Sequence, residues 1–338
     1  MKVVRSEQMT LKLAISETTK AAERQRFRRL LLRWFDLHKR DLPWRQNRDP
    51  YRVWLSEIML QQTRVNAVTD YYHKFLRRFP SIETLASAPE SAVLAAWSGL
   101  GYYRRARNLH AAAKKIVREY NGELPKTAEP LRTLPGIGRY TAAAIASIAF
   151  DQPVALVDGN VERVLQRLHG KNLAGEALWR AAAELLAQRR PGDFNQAMME
   201  LGATVCLAQQ PRCLFCPVSN LCATRGKLQR ERNGTRQTKR EIYYAFACQE
   251  DLIFLVRRSK SATLMPGMWE FPEITSSNGA TPPWLTLRHS ITVTDYRVHV
   301  IRDSPPADVA GRWVRKSQLP NLPLTGLARK ILSAAKVI

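Results

Sequence analysis

The chain has no apolar run of the roughly 18–20 residues that a bilayer-spanning helix requires. Its longest, residues 141–150, is short and rich in alanine. The opening residues hold no compact apolar segment ending in small side chains, so no secretory leader is expected, and residues 1–20 read as a loose tail. Cysteine is scarce. Only five occur in 338 residues, and four of them crowd between Cys206 and Cys222. That distribution excludes a disulfide scaffold and suits a reducing, cytoplasmic setting. Acidic residues are also few: 29 Asp and Glu against 53 Lys and Arg give a formal net charge of +24. Such an excess concentrates polyanions at the surface and makes nucleic acid the leading partner, ahead of an anionic membrane or a merely solvated basic face.

What the sequence does contain suffices for two domains. Hydrophobic residues make up 45%, ordinary for a chain with a sizeable buried core. In residues 22–39, Phe27, Leu30, Leu31, Trp34, Phe35 and His38 recur at helical spacing with arginines opposite. Further helical stretches are expected over 52–68, 83–98, 103–119, 128–134, 139–150, 160–168, 175–190 and 194–206, punctuated by prolines. Residues 22–222 thus read as one mainly helical domain. Residues 223–241 carry seven basic residues against two acidic and no apolar periodicity, so they read as a linker. Beyond them the period changes. Strands are expected at 243–248, 252–257, 269–271, 290–294, 296–302 and 311–314, with a closing helix at 325–336, so residues 242–338 form an α+β unit.

Two motifs stand close together. The first is LPGIGRYTAAAIASIAF at 134–150, where Gly136 and Gly138 permit a tight turn into an alanine-rich helix. Amides freed by such a turn, beside the positive end of a helix dipole, make a nest for a DNA phosphate, although a plain helix–helix connection has the same look. The second is the quartet Cys206, Cys213, Cys216 and Cys222, with gaps of six, two and five residues. Its density suggests one metal site. Only Cys213 and Cys216 form a short-gap clip, whereas structural zinc usually takes two, which favours an iron–sulfur cluster over zinc. The fifth cysteine, Cys248, reads as a small buried hydrophobe.

The hairpin, the VDGNV that follows it and the cysteine gaps together resemble the helix-hairpin-helix DNA glycosylases of the endonuclease III superfamily, over residues 25–222. That resemblance implies a [4Fe-4S] cluster on the four cysteines, pinning a loop whose Arg212 and Arg225 face the DNA backbone. It also places the family's aspartate at Asp158, for which a helix N-cap is the plain alternative. Members that cut the strand carry a lysine two residues after the hairpin's last glycine, and here that position is Tyr140, which cannot form an imine. The chain is therefore expected to break the base–sugar bond alone.

LPWR at 42–45 and YRVWLSEIMLQQTRV at 51–65 narrow the resemblance to the MutY-type adenine DNA glycosylases. The match implies that Glu57, flanked by Trp54, Leu55, Ile58, Met59 and Leu60, is the catalytic acid. Apolar neighbours would raise its pKa to suit that role; otherwise it is an exposed helix glutamate. The resemblance further assigns Tyr140 and Asn160 to positioning, Arg45 to the adenine pocket, and Gln62 and Tyr102 of GLGYYRRARN to the wedge that replaces an everted nucleotide. Tyr102 and Tyr103 could equally be a core pair. LMPGMWEFP at 264–272 is similar to the Nudix-like domain of that family, without the acidic box that holds magnesium. The family's sensing loop for 8-oxoguanine reads Phe-Ser-His; here Ile291-Thr292-Val293 follows Arg288-His289-Ser290, so the His is missing and Thr292, Ser290 and His289 are the candidates. The implied activity is monofunctional excision of adenine opposite 8-oxoguanine, and guanine, in double-stranded DNA by a monomer. A thymine glycosylase acting on T·G mismatches and a non-enzymatic DNA-binding module with a structural metal are the rivals.

Overall fold

The computed structural model describes residues 2–226, 238–275, 282–291 and 294–338. Two compact units emerge, each drawn from two stretches of chain: Met1–Ile58 with Glu123–Arg230, and Met59–Gly122 with Glu231–Ile338. The helices, in chain order, are α1 (Lys2–His38), α2 (Pro50–Leu60), α3 (Val65–Arg78), α4 (Ile82–Ser87), α5 (Glu90–Trp97), α6 (Arg104–Tyr120), α7 (Ala128–Leu131), α8 (Arg139–Phe150), α9 (Gly159–His169), α10 (Gly175–Leu185), α11 (Pro191–Thr204) and α12 (Gly326–Ala334). No helix among the described residues is long and apolar enough to cross a membrane.

In the first unit α11 packs against α1, α8 and α9. Phe27, Leu31 and Phe35 of α1, Ala142–Ala146 of α8 and Leu201 of α11 are all buried there. Close approach of α8 follows from its run of alanines, and the unit's chemistry sits at the N-terminal ends of α8 and α9. Residues expected as a loose tail continue α1 instead, and no glycine or proline interrupts that stretch before Pro43.

In the second unit α3 to α6 form one helical layer, with Phe75 and Trp97 packed edge to face at 5.8 Å. The expected helix over 52–68 breaks into α2 and α3, because Gln62 takes a left-handed φ of +57° between them. The expected helix over 83–98 breaks at Pro89, whose ring cannot continue α4. The sheets are built from β1 (Thr238–Phe246), β2 (Cys248–Gln249), β3 (Leu252–Arg257), β4 (Trp269–Glu270), β5 (Glu273–Ile274), β6 (Leu285–Ile291), β7 (Thr294–Arg302) and β8 (Gly311–Arg315). One sheet runs β5-β1-β7-β6, with β1 and β7 parallel; the other joins β2, β3, β4 and β8. Tyr244, Phe246, Ile253, Leu255, Phe271, Val298, Val300 and Ile331 form their core. The fold is thus mainly helical up to Thr204, with an α+β C-terminal part. Strand β1 starts at Thr238, inside the expected linker, because Glu241 pairs with Arg297 of β7 both in register and by side chain at 3.2 Å.

Candidate active site

Helix α2 presents Glu57 inward. Its neighbours Trp54, Leu55, Ile58 and Met59 are buried, and Glu57 itself is only 7% exposed, so the exposed-glutamate alternative falls. Tyr140, one residue into α8, donates its phenol proton to Glu57 Oε2 at 2.7 Å and also reaches Met199 Sδ at 3.3 Å. Burial pushes the Glu57 carboxyl up to about 7, and the nearby charge of Asp158 adds to that, while the Tyr140 hydrogen bond and the Arg45 charge oppose it. The Tyr140 phenol is held well above its ordinary value by burial and by the charges of Glu57 and Asp158. Glu57, Tyr140 and Asp158 thus share one electrostatic neighbourhood.

Asp158 caps α9, so that reading of the residue is correct as far as it goes. Its Oδ1 accepts from the amides of Asn160 at 3.0 Å and Val161 at 2.7 Å, and its Oδ2 accepts from Asn160 Nδ2 at 2.9 Å. Three donors therefore hold the carboxyl group in one orientation at the positive end of the helix dipole. Asn160 is fixed in turn. Arg163 Nη2 donates to Asn160 Oδ1 at 2.8 Å and to the Gly202 carbonyl at 2.7 Å, and Arg163 Nε donates to the Cys206 carbonyl at 2.8 Å.

Arg45 is held away from solvent by a partner the sequence did not reveal. Its Nη2 donates to Glu200 Oε2 at 2.8 Å, and Arg40 grips the other side of that carboxylate at 2.7 Å. Glu200 is 1% exposed; burial alone would raise its pKa, but the two guanidiniums overcome that and hold it below the ordinary value. An acid among Met198, Met199 and Leu201 in a helical run was the available signal for it.

At the hairpin, Ile137 N donates to the Leu134 carbonyl at 3.1 Å. Gly136 has φ of +76°, the left-handed region that only glycine enters freely. Gly138 differs from expectation. It is extended, at φ −86° and ψ −179°, and a Cβ built on it would meet nothing within 4 Å, so the backbone does not demand glycine there.

In the second unit, Gln62 and Tyr102 both stand exposed at positive φ, +57° and +48°. Tyr102 is 48% exposed, whereas Tyr103 is 4% exposed and is the core member of the pair. Arg105 lies between the two turns. Its Nη1 donates to the Met59 carbonyl at 2.8 Å and to that of Gln61, and its Nη2 donates to Thr63 Oγ1 at 3.0 Å and the Gly101 carbonyl at 3.3 Å. His289 and Ser290 lie on β6 and line a pocket of about 410 Å³ in which Lys239, Arg240, Arg288 and Arg297 outnumber Glu241 and Asp295. Ser290 Oγ donates to Asp295 Oδ1 at 2.5 Å. Thr292 and Val293 lie outside the described residues.

Cys206, Cys213, Cys216 and Cys222 line one small pocket with Arg167, Pro211 and Arg225. Burial and the neighbouring thiols push the Cys216 thiol up to about 11. Arg167 Nη1 donates to Cys206 Sγ at 3.3 Å. Among the described residues no set of three or more His, Cys, Asp or Glu side chains is arranged to hold a single metal ion. The four thiols lining one small cavity are a donor set of the kind that holds a thiolate-ligated metal group. Cys248 is exposed on β2 rather than buried, because that two-residue strand lies at the sheet edge beyond the core side chains.

Residues 55–188 match the family model of the HhH-GPD superfamily base excision DNA repair proteins. An adenine DNA glycosylase of Mus musculus is 42% identical over 312 residues, which cover 74% of this chain and 60% of the mouse protein. An adenine DNA glycosylase of Buchnera aphidicola subsp. Baizongia pistaciae is 35% identical, with 75% of each chain covered. A solved thermostable thymine-DNA glycosylase superposes with a TM-score of 0.58 at 32% identity, covering 62% of this chain and 99% of that one. The chain thus spans about three-fifths of the length of the mouse relative. With the buried acid on α2, the tyrosine of the hairpin helix and the capping aspartate in one place, and with these relatives, the chain belongs to the adenine DNA glycosylase family of the helix-hairpin-helix base excision repair superfamily.

Proposed function

We propose that the protein excises adenine mispaired with 8-oxoguanine, and with guanine, from double-stranded DNA, and leaves the strand uncut. The observation that carries this reading is Glu57: a buried carboxyl held near 7, hydrogen-bonded by Tyr140 and beside Asp158. Half-protonated at neutral pH, it is suited to give a proton to the imidazole-ring nitrogen of an everted adenine, which turns the base into a leaving group. The glycosidic electrons leave with the base, and the sugar becomes oxocarbenium-like. Asp158, its oxygens fixed by two amides and Asn160, stabilises that cation. Water then adds to the sugar carbon and its proton returns to Glu57. Tyr140 offers a phenol where a lyase needs an amine, which supports base removal without strand scission.

DNA is the partner that the +24 charge, the hairpin amides and the exposed Gln62 and Tyr102 favour. The basic pocket beside His289 and Ser290 supports reading of the opposite base by the Nudix-like C-terminal part. The four cysteines would hold a [4Fe-4S] cluster. When bound, that group supplies a rigid cross-link of the loop carrying Arg212 and Arg225 rather than reaction chemistry. Purified protein is expected to carry about four irons per chain, lost in Cys213→Ser.

The thymine reading has support in the 32% identity to the thymine-DNA glycosylase. That structure is covered over 99% of its length by 62% of this chain, so it offers no counterpart to the remainder. Relatives named adenine DNA glycosylase align over 74% and 75% of the chain. The decisive experiment is single-turnover excision on matched A·8-oxoguanine, A·G and T·G duplexes, with alkali to reveal abasic sites. Release of thymine in place of adenine reverses the assignment, and release of neither supports the binding module.

A further inference from the structure

Tyr102 stands on a loop bent against the preference of its own residue type. Gly99, Gly101 and Tyr102 have φ of +106°, +73° and +48°. Glycine accepts that region without steric cost, but a tyrosine stays there only where its surroundings fix it. Part of the fixing is local: Trp97 Nε1 donates to the Gly101 carbonyl at 3.1 Å, and Arg105 grips the same carbonyl.

The rest comes from more than two hundred residues along the chain, within the same unit. Ser98 Oγ donates to the Leu324 carbonyl at 2.8 Å, and the Tyr103 hydroxyl donates to the same oxygen at 3.0 Å. The Tyr103 hydroxyl also accepts from Gly99 N at 3.2 Å. Ser98, Tyr103 and Leu324 are 2%, 4% and 0% exposed, so these bonds are shielded from water and costly to leave unmade. Leu324 is itself held in place. Trp269 N donates to the Pro323 carbonyl and Thr325 N to the Trp269 carbonyl, both at 2.9 Å. Trp269 belongs to the same LMPGMWEFP segment as Pro266, whose carbonyl accepts from Arg107 at the start of α6. The wedge loop is therefore tied on both sides of Tyr102 to the strand and turn that lead into α12.

We propose that Ser98 and Tyr103 are positioning residues through which the 322–325 turn of the C-terminal part holds Tyr102 in its inserting conformation. The inference rests on the wedge role given to Tyr102 above and deepens it: the part that inspects the opposite base shares one carbonyl with the loop that parts the pair.

The test uses the full chain. Single-turnover excision from an A·8-oxoguanine duplex, and eversion followed by 2-aminopurine fluorescence, are measured for Ser98→Ala/Tyr103→Phe in the wild-type and Tyr102→Ala backgrounds. The expected result is a loss of about tenfold in excision and eversion for the double substitution and no further loss when Tyr102 is already alanine, since residues acting as one unit are not additive. The pH midpoint of the rate, set by Glu57, stays where it was. Tyr103→Phe alone, which keeps the ring, is expected to give part of the loss when assayed well below its own, lowered thermal midpoint, where the chain is fully folded, so a folding defect is told apart from a positioning one. An unchanged rate, or a loss that adds in full to that of Tyr102→Ala, overturns the proposal. If the unsubstituted chain releases no adenine, the glycosylase reading falls and this inference with it, a result recognisable because the wild type itself is then silent.

Discussion

Gly202 of α11 lies so close to Asn160 of α9 that a Cβ in place of its hydrogen would meet the Asn160 Cβ at 2.6 Å and the Asn160 carbonyl oxygen at 3.0 Å. The glycine is what lets the two helices touch where Asp158 and Asn160 are presented. Gly202→Ala is expected to cost about 1–3 kcal/mol, as overpacking of a close contact does, and to displace the Asp158 cap. Urea denaturation gives the first effect. Excision slowed by more than the stability loss accounts for gives the second.

Glu57 ties both activity and stability to pH, and both fall as pH rises. Its carboxyl goes from an ordinary 4.5 to about 7 on folding. The folded chain therefore holds a proton the unfolded chain has lost, and stability falls as pH rises between those values. At about 1.4 kcal/mol per pH unit, the cost is on the order of 3 kcal/mol above pH 7. Glu57→Gln is expected to abolish excision, by about 10³-fold or more, while mismatch binding survives. It should also unfold at higher urea than wild type at pH 8 and at the same urea at pH 4. In the wild type, single-turnover rates should fall about tenfold per pH unit on the alkaline side of 7.

Tyr140→Phe removes one hydroxyl. The bond it donates favours the ionised form of Glu57, so its loss sends the Glu57 pKa further up. The alkaline limb of the pH–rate profile is expected to move to higher pH. The maximal rate should drop by about tenfold as the acid loses its orienting partner. A rate reduced at every pH with an unmoved limb would contradict the assignment.

The two hairpin glycines should separate cleanly. Gly136→Ala forces a methyl-bearing residue to φ +76° and is expected to cost at least about 1 kcal/mol of stability. Gly138→Ala meets open space at an ordinary φ and should leave stability within about 0.5 kcal/mol. If the hairpin amides receive a phosphate, Gly138→Ala still weakens duplex binding, because its methyl stands where the backbone has to approach. Fluorescence anisotropy against salt concentration separates the two effects.

The site was legible where chemistry is local in sequence. Glu57 stands in a long motif, Tyr140 follows a hairpin signature, and Asp158 precedes a helix whose first amides it must cap. What escaped were the partners those residues find across the chain. Arg45 is separated from Glu200 by 155 positions, and Arg163 joins Asn160 to the Cys206 carbonyl across 43. Helix α3 escaped for the same reason. The break before it sits at Gln62, with no glycine or proline to mark it, and is stabilised by Arg105, whose guanidinium takes up the Met59 and Gln61 carbonyls. In the C-terminal part the strands near 252–257, 269–271, 296–302 and 311–314 were readable from their β-branched and aromatic runs, but the strand expected at 290–294 is displaced: β6 runs Leu285–Ile291, set by its antiparallel register against β7. Nor was the early start of β1 readable, since Lys239, Arg240 and Glu241 look like linker until Arg297 and β7 stand beside them.

Gln62 and Tyr102 carry their left-handed backbone angles as part of the chain's own fold, braced by Arg105. In the wedge role proposed for them, such a pair arrives already cocked. The unfavourable bending is met when the chain folds, so no conformational penalty falls due at the moment of contact. Discrimination then passes to the double helix itself: a base pair that unstacks readily yields to two rigid prongs, and a well-stacked one lets them slide by.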